Sequence, residues 1–368
     1  MQLNHQKKGV FYNFVPAMSE RFRTYPILEP LALLFRAATA IRNHSYDRGI
    51  LKTVYFPFPV ISVGNITVGG TGKTPHTEYI VSLLHGMNGL TVLSRGYGRC
   101  STGFVLADED TDSTRIGDEP SQIHTHFPDI TVAVDEDRVH GIRLLSADGN
   151  IGAVILDDAF QHRRVRPSLN ILLVNWNRNI MHDRLMPAGR LREAASGRSR
   201  ADIIIVTKCP AHITDGQMDS MTAELAVRPG QEVFFSTFAY GEILPFSESC
   251  RQLPQERVPV LSLSGIASPS QMNAHLAGLT DRLEQLTYPD HYHFDNSDID
   301  SIIKKVESMG TDAIIVTTEK DAARLKSLNI PEELRKRIYV LPIKVKFIRG
   351  GQEFDRIVTE HVKSFKSK

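Results

Sequence analysis

Lys73 and Thr74 close a glycine-rich stretch, Gly64-Asn65-Ile66-Thr67-Val68-Gly69-Gly70-Thr71-Gly72-Lys73-Thr74-Pro75, whose residue types suit a polyphosphate. Glycines let successive backbone N–H groups point into one concavity, and the N-terminus of a following helix adds partial positive charge. A lysine in this place reaches the β- and γ-phosphates, and a threonine hydroxyl sits on Mg²⁺. The strict pattern G-x-x-x-x-G-K-[ST] asks for glycine where this chain has Thr67, and Gly69 and Gly70 supply the turn instead. Pro75 suits a first helical turn, whose N–H groups have no intrahelical partner. An apolar run at 59–63 precedes the stretch and a helix-compatible run at 75–84 follows it. Strand, turn and helix make a plain flexible turn the weaker reading, and the stretch reads as a nucleoside triphosphate site.

Further residues could join that chemistry. The apolar run 151–156 ends in Asp157 and Asp158, the arrangement in which a strand-end carboxylate approaches the Mg²⁺ of a P-loop. The alternative is an acidic helix cap, and the sequence does not separate the two aspartates. In Gly117-Asp118-Glu119-Pro120, Asp118 reads as a helix N-cap or as a proton acceptor near the γ-phosphate. In Asp290-His291-Tyr292-His293, His291 is either a turn residue or a partner that tunes a carboxylate. Pro187-Ala188-Gly189-Arg190-Leu191-Arg192-Glu193 offers arginines suited to phosphate at a loop-to-helix junction. Arg95-Gly96-Tyr97-Gly98 is a weaker anion-turn signal. Thr207-Lys208 resembles the base-reading loop of G proteins, but Cys209-Pro210 follows where an aspartate is required, which argues against a GTP switch. Thr318-Glu319-Lys320-Asp321 reads first as a capping box.

The elements that must position these residues are strands alternating with helices. Strand-length apolar runs recur at 60–63, 90–93, 130–134, 151–156, 169–174 and 203–206, separated by segments of helical character. Near-continuous apolar strands of this kind predict a parallel α/β sheet covered on both faces, with ligands at the carboxyl ends of the strands. After an aromatic β-like stretch near 233–238 and a charged, proline-containing passage, a second β–α series begins at 260 and ends in a strand near 339–345. The expected division is a helical segment at 1–50, a P-loop domain at 51–231, a β-type linker at 232–258 and a smaller α/β domain at 259–368. Lys and Arg number 43 against 42 Asp and Glu, so no global field for nucleic acid arises. Three scattered cysteines fit a reducing compartment. No run reaches the length of a spanning helix, and no signal peptide is evident. Residues 16–50 interleave apolar side chains with Arg21, Arg23, Arg36, Arg42 and Arg48. That pattern suits a helix lying on an anionic membrane, or equally one packed on the core.

Taken in order, residues 67–75, 95–98, 117–120, 156–162, 187–193, 290–292 and 318–321 resemble the tetraacyldisaccharide 4'-kinase family, the lipid A kinases of Gram-negative bacteria. The resemblance spans about residues 46 to 345, and Thr67 is what that family carries. It implies a P-loop NTPase-like domain and a smaller α/β domain joined by a two-stranded connection. It further implies transfer of the ATP γ-phosphate, with Mg²⁺, to the 4'-hydroxyl of tetraacyldisaccharide 1-phosphate, giving lipid IVA. By the same resemblance Asp118 is the catalytic aspartate, His291 its partner, and Lys73 and Arg192 the charge-stabilising cations. Thr67, Val68, Gly69, Gly70, Thr71, Gly72, Lys73 and Thr74 cradle the nucleotide, and Thr74, Asp157, Asp158 and Glu193 line the metal. The enzyme would sit peripherally on the cytoplasmic face of the inner membrane through its N-terminal helix. Ala159 stands where the family usually has Gly, and Ala194 where it often has Pro; neither change removes a functional side chain. The competing readings are a membrane-associated P-loop ATPase, which would turn over without lipid, and a soluble kinase, which would not bind vesicles.

Overall fold

The computed structural model describes residues 25–366 except 148, 211, 255, 267, 268, 290, 291 and 327. After a short 3-10 turn, α1 (Glu29–Asp47) leads into the first sheet. Its strands are β1 (Val60–Gly64), β2 (Leu90–Ser94), β3 (Val105–Leu106), β4 (Thr131–Val134), β5 (Ala153–Asp157), β6 (Leu169–Asn175), β7 (Ile203–Thr207) and β8 (Glu232–Tyr240). They lie in the order β8-β7-β6-β1-β5-β2-β4-β3, parallel throughout except for β3 at the edge. Between them run α2 (Lys73–Leu84), α3 (Ser113–Ile116), α4 (Asp118–His126), α5 (Arg138–Ser146) and α6 (Asp215–Glu224).

The reason for this arrangement is visible in the strands themselves. β1, β2, β5, β6 and β7 are buried along their whole length, as continuous aliphatic runs require when helices cover both faces. One face packs Ile61, Val63, Ile155 and Leu173 against Ile80, Val81 and Leu84 of α2. The other packs Leu172, Val174 and Ile204 against Met218 and Met221 of α6, and Val154 and Leu156 against Val139 and Ile142 of α5. β1 lies between β5 and β6, so the strand order reverses at its carboxyl end. A crevice opens at such a reversal, and the P-loop stretch emerges from β1 directly into it.

A second sheet is built from β9 (Leu244–Pro245), β10 (Val260–Ser264), β11 (Leu283–Thr287), β12 (Ile314–Thr318) and β13 (Ile338–Leu341), in the order β11-β10-β12-β13-β9. β9 alone is antiparallel. Its helices are α7 (Ser270–Ala277), α8 (Asn296–Met309), α9 (Glu319–Lys326) and α10 (Glu332–Arg335). α8 seats Ile299, Ile302, Val306 and Met309, spaced by three and four residues, on Leu261, Leu263 and Ile315.

The chain then returns. β14 (Ile343–Arg349) pairs antiparallel with β8, and α11 (Gly351–Lys363) sends Phe354, Val358 and Val362 into the core of the first sheet. The apolar run at 339–345, expected to be one strand of the second domain, is therefore shared between two sheets. Pro342 marks the break, since proline has no N–H to give a ladder. Likewise β8, expected within the linker, is a full member of the first sheet. The two crossings between the sheets run side by side, with the Gly241 N–H donating to the Pro342 carbonyl at 3.0 Å.

Candidate active site

Two neighbouring segments hold the loop at 65–72. On one side the loop preceding the 3-10 turn Ala195–Arg200 lies antiparallel to it. Thr67 bridges to Leu191, the Val68 N–H donates to the Arg190 carbonyl at 2.8 Å, and the Arg192 N–H donates to the Ile66 carbonyl at 2.8 Å. On the other side the Thr207 hydroxyl, at the end of β7, donates to the Thr71 carbonyl at 2.9 Å. The Asn65 amide donates to the Thr71 hydroxyl at 2.7 Å. Gly72 caps α2 with φ of +85°, and a β-carbon there would stand 2.6 Å from the Phe238 ring, so the position is closed to larger residues. His76, one turn into α2, donates from Nδ1 to the Gly72 carbonyl at 2.7 Å and accepts at Nε2 from the Ser236 hydroxyl at 2.9 Å. Burial pushes its imidazole down to about 4, so it serves as a neutral strut between the loop and β8.

The carboxyl end of β5 brings the charged groups together. Asp158 has φ of +46°, a left-handed turn that carries its side chain off the strand line. Its carboxylate accepts two bonds from one Arg192 nitrogen, each 3.1 Å, and lies 3.6 Å from the Lys73 ammonium. Asp157 is fully buried beside it. The Thr77 hydroxyl donates to its Oδ1 at 3.0 Å, while its Oδ2 has no hydrogen-bond partner among the described residues. Burial first, then the nearby charges of Glu119 and Asp158, push this carboxyl up to about 7. Thr74 precedes Thr77 by three residues, hence on the same face of α2, and is itself buried. Beneath both aspartates the buried Arg138 donates to the Asp157 carbonyl at 3.3 Å.

Asp118 opens α4 after Gly117, which has φ of +92° and where an added β-carbon would stand 2.8 Å from the Tyr97 carbonyl oxygen. The turn at 95–98 is thus the seat of Asp118. From the second domain, α9 reaches the same place. Arg324 donates from Nε and an NH2 nitrogen to Asp118 Oδ2, at 3.0 and 2.8 Å, and Lys320 pairs with Glu119 at 2.7 Å. His126 lies between Glu78 at 2.9 Å and Glu319 at 3.2 Å. Of the expected cap at 318–321, one half forms: the Asp321 N–H donates to the Thr318 hydroxyl at 3.2 Å, and that hydroxyl donates in turn to the Asp321 carboxylate at 2.8 Å.

The expected site residues thus divide. Lys73, Arg192 and Asp158 meet directly, and Thr74 and Asp157 adjoin them. Glu193 takes its contacts elsewhere: Arg200 at 2.8 Å, Gln161 at 3.0 Å and Asn43 of α1 at 3.1 Å. His291 lies outside the described residues. Among the described residues no group of three His, Cys, Asp or Glu could hold a metal by itself. Arg138 and Arg324 were not singled out from the sequence, and Lys320 only as part of the motif at 318–321. Arg138 has no motif around it, and Arg324 lies 206 residues from its partner.

A family model described as tetraacyldisaccharide-1-P 4'-kinase (LpxK) matches residues 24–363. A tetraacyldisaccharide 4'-kinase of Bacteroides thetaiotaomicron is 43% identical over 352 residues, covering 91% of this chain and 93% of that protein. One of Flavobacterium johnsoniae is 42% identical, covering 92% and 97%. The crystal structure of Aquifex aeolicus LpxK in complex with ATP is similar in fold, with a TM-score of 0.70 at 29% identity, over 91% of this chain and 98% of that one.

Proposed function

The chain belongs to the tetraacyldisaccharide-1-P 4'-kinase family, and from that premise we propose that Asp118 takes the proton while Lys73 and Arg192 hold the moving phosphoryl group. The protein is an ATP-dependent kinase that phosphorylates the 4'-hydroxyl of a tetraacyldisaccharide 1-phosphate in lipid A biosynthesis. ATP lies along the loop at 67–74, its triphosphate facing backbone N–H groups and the head of α2. The 4'-hydroxyl oxygen attacks the γ-phosphorus in line. Its O–H bond breaks toward Asp118, the new O–P bond forms, and ADP leaves with the electron pair of the β–γ bridge. Phosphoryl transfer rests mainly on positioning and charge, which Lys73 and Arg192 supply at the point where β1 and β5 end.

The observation that carries this reading is the convergence of Lys73 and Arg192 on Asp158, with Asp118 presented by α4. The same site suits Mg²⁺. Asp157 Oδ2, without a hydrogen-bond partner among the described residues, is a buried oxygen suited to a cation, and the buried Thr74 lies on the same helix face as Thr77, which bonds that aspartate. Bound there, Mg²⁺ would neutralise β- and γ-phosphate charge. A hard cation that keeps several waters needs only two or three protein ligands. Thr74, Asp157 and Asp158 suffice, and Glu193 acts instead to hold Gln161 and α1.

For α1 we infer a place on the cytoplasmic face of the inner membrane. Leu31, Leu33, Leu34 and Ile41 are exposed, while Asn43 and Arg42 tie the helix to Glu193 and the Gln161 carbonyl. None of the described helices is long and apolar enough to cross a membrane, so this contact is peripheral. The test of the site is lipid phosphorylation by Lys73→Ala and Asp118→Asn, each checked for folding. We expect losses of at least about 1,000-fold for the lysine and about 100-fold for the aspartate. Near-native turnover of Asp118→Asn, beside an inactive Asp158→Asn, would reassign the base.

A further inference from the structure

We propose that Arg324 is a positioning residue for the transfer, supplied by the second domain to fix the carboxylate of Asp118; the inference rests on Asp118 as the proton acceptor. Both of its bonds to Asp118, 3.0 Å from Nε and 2.8 Å from an NH2 nitrogen, fall on the one oxygen Oδ2. Oδ1 accepts no hydrogen bond among the described residues and is the oxygen available to a substrate hydroxyl. Two bonds on one oxygen restrict the rotation of the carboxylate without occupying its second oxygen.

The guanidinium is itself held rigidly. Arg324 is 7% exposed, and its remaining nitrogen, Nη1, donates to Asp321 Oδ1 at 3.0 Å and to the Gly265 carbonyl at 3.4 Å. Asp321 is fully buried, and its other oxygen accepts the Gly265 N–H at 2.9 Å and the Thr318 hydroxyl at 2.8 Å. A chain of short contacts therefore runs from the carboxyl ends of β10 and β12, through Asp321 and Arg324, to the catalytic aspartate of the first domain. The helical cap at 318–321 thereby gains a purpose beyond starting α9. It orients a side chain that presents a planar fork across the domain boundary. Lys320, paired with Glu119 at 2.7 Å, sets the register of the same two helices.

The measurement is kcat and KM for both substrates with the full chain in mixed micelles, for Arg324→Lys, Asp118→Asn and the double variant. Lysine keeps the charge beside Asp321 and cannot make two bonds to Asp118 Oδ2. We expect Arg324→Lys to lower kcat about 100-fold, as a small misplacement of a reacting group does, with the KM for ATP and the melting temperature unchanged. The double variant should be no slower than Asp118→Asn alone, because the arginine acts through that aspartate. Wild-type kcat in Arg324→Lys beside an inactive Asp118→Asn would overturn the inference and leave the base in place, and so would fully additive losses. Wild-type kcat in Asp118→Asn would remove the base assignment, and the inference with it. Arg324→Ala, assayed with and without methylguanidinium, is a second route: recovery of kcat at constant melting temperature supports the positioning role, and no recovery contradicts it.

Discussion

Asp157 concentrates the conflict between folding and catalysis in a single side chain. It is fully buried, with one oxygen bonded to Thr77 and the other to no group among the described residues. An acid held near 7 rather than at its ordinary 3.8 costs the fold stability as it ionises. The cost grows between about pH 4 and pH 7 and is full above that. Asp157→Asn should therefore raise the melting temperature of the ligand-free protein at pH 8 and leave it little changed at pH 4. Turnover should fall at least about 100-fold, as for loss of a metal-bearing group. A melting temperature lowered equally at both pH values would show that the carboxylate makes stabilising contacts in the fold. At this scale the sequence was readable wherever chemistry is local. Lys73, Thr74, Asp157 and Asp158 were identified because a P-loop and a strand-end acid pair are short patterns with fixed geometry. Glu193 was less legible: only the family resemblance set it at the metal, and its contacts run to Arg200, Gln161 and Asn43, because tertiary packing decides which way a side chain at a loop's end turns.

The pairing of α4 with α9 joins the two domains at the site. Its ionic contacts among the described residues include Asp118 with Arg324, Glu119 with Lys320, and His126 with Glu319. His126 also meets Glu78 of α2, and these two carboxylates hold its imidazole up to about 10, against an ordinary 6.5. A histidine raised in the fold contributes stability in full below pH 6.5 and loses it as pH climbs through about 10. Its side chain is 35% exposed, so solvent screening keeps the effect modest. The wild type should lose more melting temperature between pH 7 and pH 10 than His126→Gln does. Parallel pH dependence in the two proteins would place the histidine outside the domain contact. None of these pairs was legible beforehand, because ion pairs between residues some two hundred positions apart leave no periodic trace. The helices themselves were legible, since caps such as Thr318 with Asp321 act within one turn. The return of β14 to the first sheet was hidden for a related reason. The run at 339–345 is uniformly strand-like, and a single proline divides it between two sheets.

Over the whole molecule, one parallel sheet supplies the nucleotide site at its strand reversal, and a second, smaller one presents α9 to it. Two adjacent crossings, at Tyr240–Leu244 and Leu341–Ile343, join them. α1 lies against the first domain near Gln161 and Glu193, on the side of the Arg192 loop, and turns Leu33, Leu34 and Ile41 outward. A lipid substrate delivered at a membrane surface would thus arrive beside the residues that act on it. Replacing Leu31, Leu33 and Leu34 by glutamate should abolish flotation with anionic vesicles and raise the apparent KM for the lipid, with the KM for ATP unchanged. Undiminished flotation would remove α1 from the membrane contact. The proposed mechanism is transfer of the γ-phosphate of ATP onto a sugar hydroxyl, with Asp118 as the acceptor of its proton. Its most direct test is transfer of labelled γ-phosphate to tetraacyldisaccharide 1-phosphate in mixed micelles, with the position of the label read on the product. Label at the 4' position with the wild type, and its near-complete loss in a folded Asp118→Asn variant, is the predicted result. Release of free labelled phosphate with none in the lipid, or equal lipid labelling by both proteins, would contradict it.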